Sequence, residues 1–165
     1  MKKNNFSYLP LLLFISSFLI HCTDPISVPP DIPVETLLSA PDTLNVENQD
    51  IILSTYLWRD FQPVSSANGK PLVALVYIET ADSSIISLSI NPDAVYIVDN
   101  NRVWKSFLSA EERPSSELKP FRIAKIAHDG PKWGPDIYVD VIVRIIAGGK
   151  DYLLKASKQY IGRTD

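Results

Sequence analysis

The most informative part of this sequence is one alternating segment, Ile137-Tyr138-Val139-Asp140-Val141-Ile142-Val143-Arg144-Ile145-Ile146. Its odd-numbered positions are all Ile or Val, whereas Tyr, Asp and Arg occur only among the even-numbered ones. Successive side chains of a β-strand point to opposite faces, so this pattern predicts a strand with one face on a core. Gly148-Gly149 follows, and glycine readily adopts the positive φ of tight hairpin turns. Tyr152-Leu153-Leu154 then predicts the returning strand of an antiparallel hairpin.

The same period of two recurs upstream of this hairpin. Turn-forming sequences separate the runs, namely Asn68-Gly69, Asn91-Pro92-Asp93 and Asp99-Asn100-Asn101. One short stretch, Ser109-Ala110-Glu111-Glu112, matches a helix capping box, but Pro114 would end a helix within a turn. We therefore predict a surface loop over 109–119. Further strands are predicted over 51–58, 72–79, 86–90, 95–98 and 103–104.

These predictions give an all-β fold with seven or eight strands and no helical crossovers. Strands with one apolar face bury it most simply when two antiparallel sheets pack face to face. Such a sandwich resembles immunoglobulin-like and fibronectin-like domains in architecture only, because the Cys-Trp-Cys pattern of antibody domains is absent. A small closed barrel is the alternative.

The amino terminus carries a different signal. Lys2 and Lys3 precede an apolar stretch from Leu11 to Ile20, and Cys22 follows directly after His21. This start resembles the lipobox-type export signal of bacterial lipoproteins, with Leu19 three places before the cysteine and His21 where the pattern has a small residue. The resemblance implies cleavage of residues 1–21, acylation of Cys22 and attachment to a membrane of the bacterial cell envelope. An ordinary secretory signal is the alternative.

Proline dominates the segment that follows Cys22. Pro25, Pro29, Pro30, Pro33 and Pro41 disfavour both a helix and a central strand. We interpret residues 22–41 as a tether that holds a β-domain, residues 42–165, away from the membrane. The alternative is that part of this segment lies back along the domain, where Ile32, Val34 and Leu37 would fill a groove.

Composition narrows the classes of function. The formal net charge is −3, and cleavage of the signal would make the chain more acidic by removing two lysines. This balance argues against nucleic acid as a partner. Cys22 is the single cysteine, so no intramolecular disulfide can form.

The sequence offers little for catalysis. His128 is the one histidine after the signal segment, in a predicted loop, and no serine lies in a nucleophile-elbow motif. Glycoside cleavage needs two carboxylates that face each other across a cleft, whereas Glu111 and Glu112 are sequence neighbours in a loop that we expect to be solvated. Asp129, Asp136 and Asp140 could supply oxygen ligands to calcium, but no calcium-loop motif is present. We therefore expect no enzymatic activity, no cofactor and no metal.

Two aromatic segments are candidates for partner binding. Trp133 lies between Gly130-Pro131-Lys132 and Gly134-Pro135, and a rigid loop of this kind can present an aromatic anchor to a partner. Trp58-Arg59-Asp60-Phe61 closes an early predicted strand. The partner-binding candidates are Trp133, Lys132, Trp58 and Arg59. In the alternative interpretation, both segments plug an end of the domain.

Together these features predict a non-enzymatic module of the bacterial envelope. Its expected partners are the membrane, through lipidated Cys22, and an envelope protein or glycan. A glycan-binding module is the first alternative, and it would need exposed aromatic side chains. A hydrolase using His128 or paired carboxylates is the second.

Overall fold

The computed structural model describes residues 31–63, 65–112 and 119–165. The predicted signal segment, Cys22 and the tether up to residue 30 lie outside these residues. One short helix, α1 (Val34–Leu38), precedes the strands. The strands are β1 (Thr43–Val46), β2 (Gln49–Asp60), β3 (Leu72–Thr80), β4 (Asn91–Asp99), β5 (Arg102–Phe107), β6 (Ser109–Glu112), β7 (Arg122–Gly130), β8 (Ile137–Ala147) and β9 (Lys150–Thr164).

All of these strands join one hydrogen-bonded sheet. Its order is β5-β4-β8-β9-β2-β3-β7-β6, and β1 pairs with β2 beside this path. Neighbouring strands are antiparallel except β2 and β9, which run parallel from Leu57↔Ile161 to Asp60↔Thr164. The all-β prediction is confirmed, whereas the division into two antiparallel sheets is not, because one mixed sheet curls into a half-barrel.

Strand β9 is the reason for the single sheet. It pairs with β8 along most of its length, and the register shifts between Val139 and Val141 of β8. Lys158 has a φ of 54° opposite this shift. Bulges of this kind bend a strand and increase its twist. Beyond the bend, the end of β9 pairs with β2 and connects two groups of strands that would otherwise be separate.

The curl of the sheet encloses the main hydrophobic core. Val95 and Ile97 of β4 belong to the same buried cluster as Val76 and Ile78 of β3. These strands stand four places apart in the sheet, and strands spaced by about 4.8 Å would put them about 20 Å apart in a flat sheet. Their shared core therefore lies on the concave face.

A second cluster lies on the outer face of β4 and β8. Leu37 and Ala40 cover Tyr96 and Ile142 there, and Leu37 is fully buried. An isolated five-residue helix is unstable in water, so this burial is what maintains α1. Residues 31–41 thus pack along the domain, which was the alternative to an extended tether for this part of the chain.

The two edges of the sheet belong to consecutive strands. β5 lies at one edge and pairs with β4, while β6 lies at the other edge and pairs with β7. Only Leu108 separates Phe107 from Ser109 along the chain. A covalent link therefore runs between the edges, and they must lie close together in space.

The hairpin of β8 and β9 was predicted correctly, with Gly148 and Gly149 at φ values of 56° and 73°. Other local predictions were wrong. Residues 86–90 form no strand, although Ile86 and Ile90 still reach the core. Residues 109–112 form β6 instead of a loop. Strand β7 was not predicted, because Ala and Lys interrupt its apolar positions.

Candidate functional site

Arg59 is the most buried charged side chain among the described residues, at 1% exposure. Its Nε donates to the carbonyl of Lys70 at 3.0 Å, and Nη2 donates to the carbonyl of Asn68. Its Nη1 donates to the carbonyls of Lys132 at 3.2 Å and Gly134 at 2.6 Å. Burial lowers the pKa of Arg59, but a guanidinium stays protonated in proteins. Arg59 thus fixes two loops, 61–71 and 131–136, to the end of β2.

The loop around Trp133 is held against the body of the domain. Trp133 is half-buried and packs against the main core. The guanidinium of Arg102 lies over its ring, with Cζ 4.7 Å from the ring centroid. Lys132 is exposed, and its backbone carbonyl is bound to Arg59. Trp133 therefore has the geometry of a plug at the end of the half-barrel.

The four predicted binding residues consequently fall into two places. Arg59, Lys132 and Trp133 meet at the loop end, through the guanidinium of Arg59 and the backbone of the other loop. Trp58 lies apart from them on the outer face of β2, where its ring stands 5.1 Å from that of Tyr56 at an angle of 32°. Asp60, a possible partner for Arg59 in the sequence, binds Lys70 Nζ at 2.6 Å instead.

A row of aromatic side chains crosses the outer face of three neighbouring strands. Tyr138 of β8 is the register partner of Tyr160 of β9, and their ring centroids are 5.4 Å apart. The parallel register of Leu57 with Ile161 places Tyr56 of β2 on the other side of Tyr160. The side chains are exposed by 67% at Tyr138, 48% at Tyr160 and 54% at Tyr56. We call Tyr138, Tyr160, Tyr56 and Trp58 the aromatic row.

An open, polar depression adjoins the aromatic row. Its volume is about 260 Å³, and Tyr138 forms one wall. Asp99, Asn100, Asp140 and Lys158 provide its polar lining, and Leu38 of α1 borders it. Asp99 accepts hydrogen bonds from Asn100 and Arg102. The backbone N–H of Lys158 donates to Asp140 Oδ1 at 2.9 Å.

Hydrogen bonds hold the ring of Tyr160 and join the two strands that carry Tyr56 and Tyr160. The hydroxyl of Tyr160 donates to Asp136 Oδ1, and this bond raises the pKa of Tyr160. Thr55 Oγ1 donates to Gln159 Oε1 at 2.7 Å, one position before Tyr56 and Tyr160 in the two strands. The rings therefore occupy a braced surface of the sheet, which favours their use in recognition.

The residues considered for catalysis and metal binding do not form a cluster. His128 is exposed near the end of β7, and not in the predicted loop. Asp136 and Asp140 are engaged with Tyr160 and Lys158. Within the described ranges, no group of three His, Cys, Asp or Glu side chains is arranged to hold a metal ion. The side chains of Glu111 and Glu112 lie outside the described part.

None of the helices in the described ranges has the length and apolar character needed to cross a lipid bilayer.

Comparison with known proteins gives no relative: no protein-family profile, curated protein or solved structure matches this chain.

Tyr138, Tyr160 and Tyr56 were not among the predicted binding residues. Alternation already placed Tyr138 opposite the apolar face of its strand, and the same holds for Tyr56. What the sequence does not show is that β9 lies between their two strands. A search for aromatic residues on the polar faces of predicted strands would have found the individual members, but not the row.

Proposed function

We propose that this protein is a non-enzymatic recognition module of the bacterial cell envelope, anchored through lipidated Cys22. The observation that supports it is the aromatic row, which gathers four large aromatic side chains on one outer surface. Tyr and Trp are enriched at binding hot spots because they bury large areas with few rotatable bonds. Exposed patches of this kind are typical of interaction sites.

The lipid anchor rests on the export-signal resemblance alone. Residues up to Ile20 supply the signal, and Cys22 supplies the acylated residue. Several acyl chains on one residue give stable membrane attachment, whereas a single chain gives only marginal binding. With α1 docked on the domain, the tether proper shortens to residues 22–30. At no more than about 3.5 Å per residue, it would keep the domain within about 30 Å of the membrane.

Site-specific photo-crosslinking in cells tests the recognition surface. A photoreactive amino acid at position 56 or 138 is expected to capture an envelope component. The same group at position 107 is the matched control, because Phe107 is equally exposed but lies away from the row. Capture from position 107 but from neither row position would contradict the proposal.

The anchor has its own test, the intact mass of the membrane-extracted protein beside a Cys22→Ala variant. A chain that starts at Cys22 and carries acyl mass is expected, together with loss of membrane association in the variant. A chain that retains Met1 or carries no acyl group would refute the anchor while leaving the recognition surface in place.

A further inference from the structure

We infer that the aromatic row and the adjoining depression together bind a single extended chain of a neutral polysaccharide. This inference rests on the proposed function, because it names the ligand class of the same surface. A sugar ring presents apolar C–H groups on its faces and hydroxyl groups around its edge. A matching site therefore combines open aromatic rings with hydrogen-bonding groups beside them, which is the combination found here.

The polar groups of the depression suit hydroxyl groups. Asp140 and the amide oxygen of Asn100 can accept hydrogen bonds, while Lys158 and the amide nitrogen of Asn100 can donate. Every sugar hydroxyl both donates and accepts, so a mixed lining matches it. Arg102 is paired with Asp99, and Lys158 offsets Asp140, so the charges at the depression cancel. That balance favours an uncharged ligand over an acidic or basic one.

The shape of the surface indicates a chain and not a small sugar. The row crosses three adjacent strands, which spans about 10 Å at the usual strand spacing, and the depression lies beyond Tyr138. Neighbouring rings are inclined by 50° at Tyr138–Tyr160 and by 32° at Tyr56–Trp58. Inclined rings can follow a twisted single chain, whereas a crystalline polysaccharide surface would need coplanar rings.

Gly162 keeps this surface open. It lies on β9 as the register partner of Trp58, two residues after Tyr160. A Cβ at this position would meet Leu57 O at 3.6 Å and Tyr160 Cε1 at 3.7 Å, which are ordinary contacts. Neither backbone conformation nor crowding therefore demands glycine. A side chain at position 162 would cover the space between Tyr160 and Trp58. Glycine leaves this space open, so a ligand can reach both rings.

The experiment measures binding of the full chain to soluble glucan, xylan, galactomannan and chito-oligosaccharides. Affinity electrophoresis and titration calorimetry give the affinity, and tryptophan quenching that disappears in Trp58→Phe reports contact at the row, since the chain also contains Trp104 and Trp133. We expect at least one of these probes to bind. Tyr138→Ala and Tyr160→Ala are each expected to weaken that binding about tenfold or more, as loss of a hot-spot aromatic does. Phe107→Ala is the matched control and should bind like the parent.

Gly162→Thr separates binding from folding. Threonine suits a strand better than glycine, so this variant should be as stable as the parent or more so. Its affinity for the polysaccharide is nevertheless expected to fall about tenfold, because the new side chain covers ring surface. Equal affinity in Gly162→Thr and the parent would overturn the inference.

The outcomes distinguish the inference from the proposed function. If none of the polysaccharides binds, but positions 56 and 138 still crosslink an envelope protein, then the polysaccharide inference is wrong and the recognition module stands. If a polysaccharide binds equally to the parent, Tyr138→Ala and Tyr160→Ala, this surface is not its site. If the row neither binds a polysaccharide nor crosslinks any component, both proposals fail.

Discussion

Arg59 shows how a single residue can organise the loop end of the domain. A buried guanidinium normally pairs with a carboxylate, because removing a charge from water is costly. Here backbone carbonyls of two loops take that role, and the ring of Phe61 lies 4.9 Å from Cζ. The side chain that resembled a binding residue in the sequence is therefore an internal brace.

Replacing Arg59 with leucine should lower the free energy of unfolding by about 3 kcal/mol or more. The substitution removes the donor of four partly buried hydrogen bonds to backbone carbonyls, and a buried carbonyl left without a donor costs about 1–3 kcal/mol. Chemical denaturation of the full chain measures this change. Lys132→Ala is the control, because it keeps the carbonyl that Arg59 binds, and a change within about 0.5 kcal/mol is expected. An Arg59→Leu protein as stable as the parent would rule out the bracing role.

Tyr96, whose phenol group lies under α1, makes the stability of the domain depend on pH in the alkaline range. Burial, and then the hydrogen bond to Asp31, raise the pKa of Tyr96 from 10.0 to about 12. Between these values the unfolded chain loses this proton and the folded chain keeps it. The contribution of Tyr96 to stability is thus complete below pH 10 and declines as the pH rises towards 12.

Tyr96→Phe should flatten this alkaline decline. Near neutral pH the variant should lose only the contribution of one hydrogen bond, about 1 kcal/mol. Denaturation midpoints of both proteins, measured across the alkaline range, provide the comparison. Parallel curves for parent and variant would show that Tyr96 does not cause the pH dependence.

At the scale of elements, α1 converts part of the proline-rich segment into a cover for the sheet. Lys155 donates its backbone N–H to the carbonyl of Pro41 at 2.8 Å, and Asp31 binds Lys105 Nζ at 2.9 Å. These contacts fix residues 31–41 to the sheet at both ends. Within residues 31–41 the proline content correctly indicates that no long helix forms, but the apolar side chains of this stretch, Leu37 above all, dock a short one.

Leu37→Ala should lower the free energy of unfolding by about 2–5 kcal/mol, the usual cost of such a change at a buried site. Glu35→Ala is the matched control on the same helix, since Glu35 is exposed and should change stability by less than about 0.5 kcal/mol. Thermal and denaturant unfolding both report the difference. Identical stability in the two variants would mean that α1 detaches from the domain in solution.

Prediction from the sequence succeeded for the long runs that have a period of two and are rich in β-branched and aromatic residues. This holds for β2, β3 and β8, and for the hairpin turns at Asn100 and Gly148. It failed at Ile86-Ser87-Leu88-Ser89-Ile90, which alternates but forms a loop held by Gln49, whose amide oxygen accepts from the N–H of Ser87 at 2.9 Å. A local pattern cannot reveal this contact, because Gln49 lies 38 residues away in the chain.

At the scale of the whole molecule, the fold depends on contacts between distant parts of the chain. The parallel pairing of β2 with β9 joins residues about a hundred positions apart. Periodicity predicts each strand but contains no information on which strands are neighbours. For this reason an all-β fold was predictable, whereas the single curled sheet and the aromatic row that crosses it were not.

Removing residues 150–165 should unfold the entire domain and not merely shorten it. β9 lies between β8 and β2, so its loss separates β5-β4-β8 from β2-β3-β7-β6 and exposes the core. Far-ultraviolet circular dichroism and amide exchange would show the loss of structure. Removal of Asp165 alone is the control and should leave the spectrum unchanged. If the β2 and β3 amides kept their native protection in the protein that lacks residues 150–165, then β9 would not be required for the rest of the sheet to fold.

Because β9 is central in the sheet but last in the sequence, its position also affects when the domain can fold. Among the described strands it is the last to leave the ribosome, yet the sheet cannot close without it. Pairings between distant segments also form slowly, since loop closure must precede them. We therefore expect that the nascent chain cannot complete its sheet until translation has passed residue 164. An unfolded chain is what a secretion channel can thread, so the order of the strands itself would keep such a protein competent for export.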